Sequence, residues 1–429
     1  MSVATVRALS YRYATSTTAP ASRRQRIKLV TVLGLLTALG PFTFDMYLPA
    51  LPKLTTSLHT TDSAVQLTLT GTLVGVALGQ LAIGPLSDAM GRRRPLLAGI
   101  CVHIVASVLC AVAPTVAFLG VMRVLQGLGA AAASVTAMAV VRDLYSGTAA
   151  ANTISRLILV LGISPVLAPS AGSALLGLTD WRGIFAALAG IGALMLVMSA
   201  FGLRETLPPA RRRSGGVVDS GRTYRRLFGD RTFVGLVLTA ACTMGVVFAY
   251  VSGSSFVLQD EFGLTETQFG MVFAFNAIAL IGAPQMNVVL LRRFAPQQIL
   301  LGGLTLGAVA GSTFLLVALT GFGGLPGFLV PLFCTLFSIG LCGPNTAALA
   351  LSRHGEAAGT AASLLGAIQS GAGAAAAPLV GLLGNDSSAM ATVVLGLAGT
   401  AVFLVVVVVR PRNIGSMDGA LPTAAAVAH

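Results

Sequence analysis

The sequence predicts an all-α membrane protein of 12 transmembrane helices in two six-helix halves. Three observations carry that reading. Only 10% of the 429 residues are charged and 55% are hydrophobic, with a mean hydropathy of +0.86, whereas soluble domains run about 25% charged. Apolar runs recur at 29–50, 64–86, 95–113, 116–141, 153–177, 183–203, 232–252, 268–291, 298–320, 327–351, 358–384 and 389–409. Each is long enough for a helix to cross a hydrocarbon core of about 30 Å. One long polar connection, residues 204–231 with eight arginines, Pro208 and Pro209, divides these runs six and six.

The basic residues orient the chain. With the N-terminus inside, all of the 27 Lys and Arg except Lys53, Arg123 and Arg182 fall in cytoplasmic segments, as the positive-inside rule requires. The reading is a cytoplasmic tail over 1–28, six-helix halves over 29–203 and 232–409, a cytoplasmic linker over 204–231 and a second cytoplasmic tail over 410–429. The net charge of +13 is then a topology signal and implies no nucleic-acid partner. The five cysteines (Cys101, Cys110, Cys242, Cys334, Cys342) sit in apolar runs without a CxxC or a Cys/His cluster, which argues against disulfides and a metal site. His103 stands alone in the third run. With no Ser/His/Asp constellation and no phosphate loop, neither an enzyme nor a cofactor is expected.

The first run holds the residue around which the chain is organised. Asp45, between Pro41 and Pro49, is the only carboxylate clearly inside an apolar run. A charge at membrane depth costs about 2.5–3.5 kcal/mol, so an intramembrane acid marks function. Proline removes a backbone donor, and an interrupted helix in lipid faces protein or a water-filled cavity. Spacing alone leaves open a second placement, with Asp45 reaching the outer surface four residues before Pro49.

Between the second and third runs lies Gly84-Pro85-Leu86-Ser87-Asp88-Ala89-Met90-Gly91-Arg92-Arg93-Arg94-Pro95. A glycine turn, an acid and a basic cluster meet at a cytoplasmic helix end. Asp88 is expected to bond backbone N–H groups at a neighbouring helix terminus while the arginines face water and lipid phosphate. Gly84, Asp88, Gly91, Arg92 and Arg93 then form a conformational latch; the plainer alternative is a positive-inside anchor on a tight turn. This segment closely resembles the GxLxDxxGRR signature of the major facilitator superfamily, whose fold has six plus six helices.

Later runs narrow the resemblance. Arg123-Val-Leu-Gln126-Gly127-Leu-Gly129-Ala130-Ala131 in the fourth is similar to the RxxQGxGAA motif of proton-coupled members. Arg123 is the only basic residue well inside the membrane and needs a partner; Asp45 is its natural counter-charge, and the alternative is a structural role that fixes the fourth helix to a neighbour's carbonyls or water. In the fifth run, Gly162, Pro165, Pro169 and Gly172 stand in a GxxPxxAPxxG pattern that resembles the antiporter motif. Small residues and kinks there are expected to bring the fifth helix to the eighth; general small-residue packing is the alternative. A repeat supports two parallel halves: Ala151-Asn152-Thr153 and Pro169–Gly172 return as Ala358-Gly359-Thr360 and Pro378–Gly381, at offsets of 207 and 209.

The string Asp45-Met46-Tyr47-Leu48-Pro49-Ala50-Leu51-Pro52 resembles the Bcr/CflA drug:proton antiporters. So do Val141-Arg142-Asp143, Asp180-Trp181-Arg182-Gly183-Ile184-Phe185, Arg204-Glu205-Thr206-Leu207, Gly343-Pro344-Asn345 and Gly359-Thr360-Ala361-Ala362-Ser363. The resemblance covers roughly residues 30–410 and implies a proton-coupled multidrug or antibiotic efflux transporter working by alternating access. That implies a monomer in the bacterial inner membrane whose partners are a small hydrophobic drug-like substrate, protons and membrane lipid. Asp45 and Arg123 would couple protons, and Tyr47, Asn276, Asn345 and Gln369 would supply polar contacts in an otherwise apolar cavity; packing or interhelical hydrogen bonding is the alternative for each of the four. The alternative is a proton-coupled importer or exporter of a small metabolite or sugar. Two departures stand out. The second acid that some relatives carry earlier in the first helix is absent, which argues against broad transport of divalent cationic drugs. The second half also lacks a charged motif equivalent to Gly84–Arg94, beyond Arg292 and Arg293.

Overall fold

The computed structural model describes residues 23–212, 225–354 and 358–410. Most of the two expected tails and the centre of the linker lie outside the described residues. Among those described, 12 helices are long and apolar enough to cross a membrane. In chain order they are α1 (Arg23–Asp45), α2 (Asp62–Met90), α3 (Arg93–Ala111), α4 (Val116–Leu144), α5 (Gly147–Leu176) and α6 (Trp181–Gly202). Then come α7 (Arg231–Phe256), α8 (Glu266–Leu290), α9 (Pro296–Thr320), α10 (Gly324–Ser352), α11 (Ala358–Leu382) and α12 (Ser387–Phe403), whose span continues as a π-helix over Leu404–Val409.

The first span does not stop at its prolines. After Asp45 the chain turns, forms a 3₁₀ segment over Leu48–Ala50 and a short helix over Leu51–Ser57, and the whole span runs Ile27–Ser57. Pro49 and Pro52 sit in the opening turns of these segments, where a missing N–H removes no helix bond. Asp45 therefore lies well within the span, and the shorter reading that ended it near Pro49 does not hold.

The described residues fall into two compact units. One holds the chain up to Ala50 and from Val74 to the linker; the other holds Leu51–Leu73 and the chain after the linker. In the first unit α1 packs on α4, α5 and α6, and α3 on α4 and α6. In the second, α7 packs on α10, α11 and α12, and α9 on α10 and α12. Each pairing recurs six helices later, so the same small set of contacts builds both units.

Side-chain size explains how closely these helices approach. A Cβ on Gly75 of α2 would stand 2.0 Å from the Val124 carbonyl oxygen of α4; helices that associate in lipid use such small residues because packing, not hydrophobic transfer, drives them together. Polar caps start several helices. The Thr115 Oγ accepts from Phe118 N at the head of α4, and an Asp386 carboxylate oxygen from Ala389 N at the head of α12. In the second unit, residues 51–73 are held by polar contacts. Gln66 Nε2 donates to Asn385 Oδ1 at 2.5 Å, Thr70 Oγ donates to the Ala374 carbonyl at 3.0 Å, and Lys53 pairs with Glu266 at 2.8 Å.

Candidate functional site

The break after α1 brings the first group of candidate residues together. Arg123 projects from α4 into the first unit and is fully buried. Its Nη1 donates to the Thr43 carbonyl at 2.9 Å and to Gln126 Oε1 at 2.7 Å, a partner one helical turn away on the same face. Its guanidinium carbon lies 4.5 Å from the centre of the Tyr47 ring and 5.6 Å from that of Phe185 on α6. Two further guanidinium atoms, Nε and Nη2, are buried without a hydrogen-bond partner.

Asp45 is buried at 6% exposure and forms no ion pair with any described residue. The ion pair expected between Asp45 and Arg123 is therefore absent in this structure. The guanidinium faces the carbonyl two residues before Asp45 and the aromatic ring two residues after it. Both residues are nonetheless buried inside one unit.

Behind Arg123 a polar chain runs from α4 to α3. Gln126 Nε2 donates to Ser107 Oγ at 2.8 Å, and Ser107 Oγ donates to the His103 carbonyl at 2.7 Å. His103 Nδ1 lies 3.2 Å from the Gln126 carbonyl. A carbonyl only accepts, so Nδ1 carries the proton there. His103 is thus not alone: its partner is a backbone carbonyl, which no sequence motif displays.

The polar cavity candidates are placed as follows. Tyr47 is buried in the first unit, its ring centre 5.6 Å from that of Phe185. In the second unit Asn276 Nδ2 donates to the Tyr250 hydroxyl at 3.3 Å, while its Oδ1 is buried without a partner. Asn345 Nδ2 donates to Asn287 Oδ1 at 2.7 Å and to the Leu341 carbonyl at 2.8 Å. Gln369 is half-buried on α11.

The charged turn between α2 and α3 differs from expectation in its bonding. Gly91 takes φ = +92°, a conformation glycine adopts without strain, and a Cβ there would meet Glu205 Oε2 at 2.5 Å. Arg92 does not face water: it is buried at 7% exposure. It bonds Asp88 and Ser87 from α2 through Nη1, and Asp143 at the end of α4 through Nε at 2.8 Å and Nη2 at 3.3 Å. Asp88 binds this side chain and not a helix terminus. Glu205 takes the role expected of Asp88, accepting the backbone N–H groups of Arg92 at 2.8 Å and Arg93 at 3.2 Å where α3 begins. The reason is reach. Asp88 and Arg92 are neighbours four residues apart, whereas Glu205 returns from beyond α6 directly onto the turn. Arg93 Nη2 reaches the Ala200 carbonyl at 2.8 Å. Gly84, inside α2, contributes its carbonyl to Ser87 Oγ.

Electrostatics follow these contacts. Burial alone would pull the Arg92 guanidinium down, but hydrogen bonds and charge from Asp143 and Asp88 hold it above its ordinary value. Partial burial pushes the Glu205 carboxyl up; the backbone N–H groups of Leu207, Arg92, Arg93 and Thr206 outweigh that and hold it below its ordinary value. Asp143 and Glu205 stood in the sequence only as subfamily markers.

On α5, Pro165 and Pro169 lie inside a continuous helix. Gly172 sets its approach to the α1 break: a Cβ there would stand 1.9 Å from the Met46 carbonyl oxygen. Gly162 is half-buried on the same helix. The second unit carries a charge cluster that its sequence did not announce. Asp230 caps α7 through Thr232 N and Phe233 N, and its Oδ2 accepts from Arg353 Nε at 2.8 Å and His354 Nε2 at 3.2 Å.

Comparison with known proteins agrees with this architecture. The family model of the Major Facilitator Superfamily matches residues 33–378. The uncharacterized MFS-type transporter YdgK of Bacillus subtilis is 35% identical over 348 residues, 80% of this chain and 86% of its own. A bicyclomycin resistance protein homolog of Haemophilus influenzae is 28% identical over 347 residues, again 80% of this chain and 86% of its own. Among solved structures, a D-xylose-proton symporter aligns with a TM-score of 0.72 at 16% identity, covering 90% of this chain and 99% of that one. Such low identity speaks for the fold alone. The match takes in the α1 break, the charged turn and most of both repeats, and the chain belongs to the Major Facilitator Superfamily of multi-pass membrane transporters, where it resembles the Bcr/CflA branch.

Proposed function

We propose that this transporter is a drug:proton antiporter that exports a small, largely apolar compound against inward proton flow. The observation that carries the reading is the pair of buried charges at the α1 break. Asp45 has no ion-pair partner among the described residues, and Arg123 keeps two guanidinium nitrogens, Nε and Nη2, unbonded beside Tyr47 and Phe185. An unpaired carboxylate at this depth is stabilised by a proton, by the arginine or by a bound substrate. Competition among the three links substrate to proton.

Protonated Asp45 is neutral and lets the empty carrier reorient. Ionised Asp45 draws the free donors of Arg123 and favours the other arrangement. The membrane potential supplies about 2.3 kcal/mol per charge per 100 mV, besides the pH gradient. Substrate contacts are assigned to Tyr47, Asn276, Asn345 and Gln369. Gly162, Pro165, Pro169 and Gly172 of α5 are assigned to the conformational change, and the Gly84–Arg93 turn is its latch. In this reading the protein works in the bacterial inner membrane as a monomer with both termini cytoplasmic. It needs no cofactor and catalyses no covalent chemistry.

The test is a resistance panel in a host with and without the protein, followed by transport of any drug that scores into inverted membrane vesicles. Resistance with proton-dependent uptake supports export. Uptake that needs no proton gradient, or no drug phenotype at all, contradicts it.

A further inference from the structure

We propose that Ser107 and His103 of α3 are positioning residues for Arg123, fixing the direction of the Gln126 amide and so holding the guanidinium on the Thr43 carbonyl with Nε and Nη2 free. The inference rests in part on the coupling role given above to Asp45.

An amide can present either its oxygen or its NH₂ to a neighbour, and only the oxygen is compatible with an arginine. The choice here is made on α3. The single hydroxyl proton of Ser107 goes to the His103 carbonyl, at 2.7 Å. Its Oγ can then only accept from Gln126, and the contact at 2.8 Å is to Nε2. Oε1 is left facing Arg123 Nη1, at 2.7 Å. His103 pins the same residue at its other end, through Nδ1 and the Gln126 carbonyl at 3.2 Å. α3 and α4 approach closely enough for this because Gly129 lacks a side chain; a Cβ there would stand 2.7 Å from His103 N.

The chain has one polarity from the His103 carbonyl to the guanidinium. It holds Nη1 in place and leaves Nε and Nη2 unbonded and buried. The other titratable side chains facing Arg123 are Tyr47 from the α1 break and Cys110 and His103 from α3; α6 contributes the uncharged Phe185. None of these is an anion at neutral pH, and Asp45 makes no ion pair with Arg123 in this arrangement, so an ionised Asp45 gains the free donors only when the guanidinium moves.

Infrared titration of the purified transporter reads this without any substrate. The Asp45 carboxyl band, identified by its loss in Asp45→Asn, is followed against pH. In Ser107→Ala the amide is free to turn, its hold on Nη1 is lost, and the guanidinium can swing to the carboxylate. The band midpoint is expected to fall by about 1 pH unit, a tenfold change in proton affinity. Ser107→Thr keeps the hydroxyl and should titrate as the wild type does. His103→Phe keeps a ring of similar size, frees the Gln126 carbonyl, and should shift the midpoint in the same direction as Ser107→Ala.

An unmoved midpoint in both Ser107→Ala and His103→Phe overturns the proposal. So does a Thr variant that shifts as far as the Ala variant, or an Asp45 band that does not titrate. If Ser107→Ala does not fold, the His103→Phe and Ser107→Thr pair decides the same question. Failure of drug export in vesicles would remove the antiport reading and leave this result standing.

Discussion

The guanidinium of Arg123 lies 4.5 Å above the Tyr47 ring, with both side chains fully buried. A desolvated contact of this kind contributes about 2 kcal/mol, and it needs the ring, not the hydroxyl. Tyr47→Phe should therefore keep most of the transport rate. Tyr47→Leu should lower it by roughly 10- to 30-fold, the kinetic equivalent of that energy. Initial rates of drug uptake in inverted vesicles, matched for protein content, separate the two. Equal losses in both variants would point to the hydroxyl.

The charged turn makes a second, graded prediction. Arg92 holds Asp143, whose side chain is 15% exposed, and Asp88, whose side chain is 40% exposed. A charged hydrogen bond in the less exposed position contributes about 1.5–3 kcal/mol, while a largely exposed pair contributes up to about 1. Asp143→Asn should lower thermal stability in detergent clearly more than Asp88→Asn. Both should reduce turnover more than substrate affinity, because the turn sets a conformational balance and touches no substrate. Lost binding with normal transport of the bound fraction would contradict this.

Much of this was legible beforehand, and what was not has a common cause. The 12 spans follow from run length, and the turn glycine Gly91 and buried Arg123 from residue type. The end of the first span was not, because whether Pro49 stops a helix depends on its position in the turn that follows. The partner of the α3 N–H groups is not legible because Glu205 lies 113 residues from Arg92 in sequence, and only the packed helices bring it back. His103 looked isolated because its partner is main chain. The cluster at Asp230 has no contiguous motif, because its members precede α7 and follow α10.

Glu205 gives a pH dependence with a definite sign. Its carboxyl is held below its ordinary value by backbone N–H groups, in spite of partial burial. A group depressed in the folded state adds stability above its unfolded pKa and loses it as pH falls through the folded one. Stability of the wild type should thus decline as pH drops below about 4.3, the ordinary glutamate value. Glu205→Gln should be less stable at neutral pH and should lose less on acidification. Melting temperatures across pH 3–7 test both parts, and parallel curves for the two proteins would remove Glu205 from the account.

The central claim is that Asp45 couples substrate to protons, and Asp45→Asn tests it most directly. The amide is nearly isosteric and mimics a permanently protonated acid, so folding and membrane insertion should survive. In proteoliposomes with an imposed pH gradient and a drug from the resistance panel, the wild type should build a drug gradient and Asp45→Asn should build none. Adding that drug to purified protein should release protons from the wild type alone. An Asp45→Asn protein that still accumulates drug from the pH gradient would contradict the account.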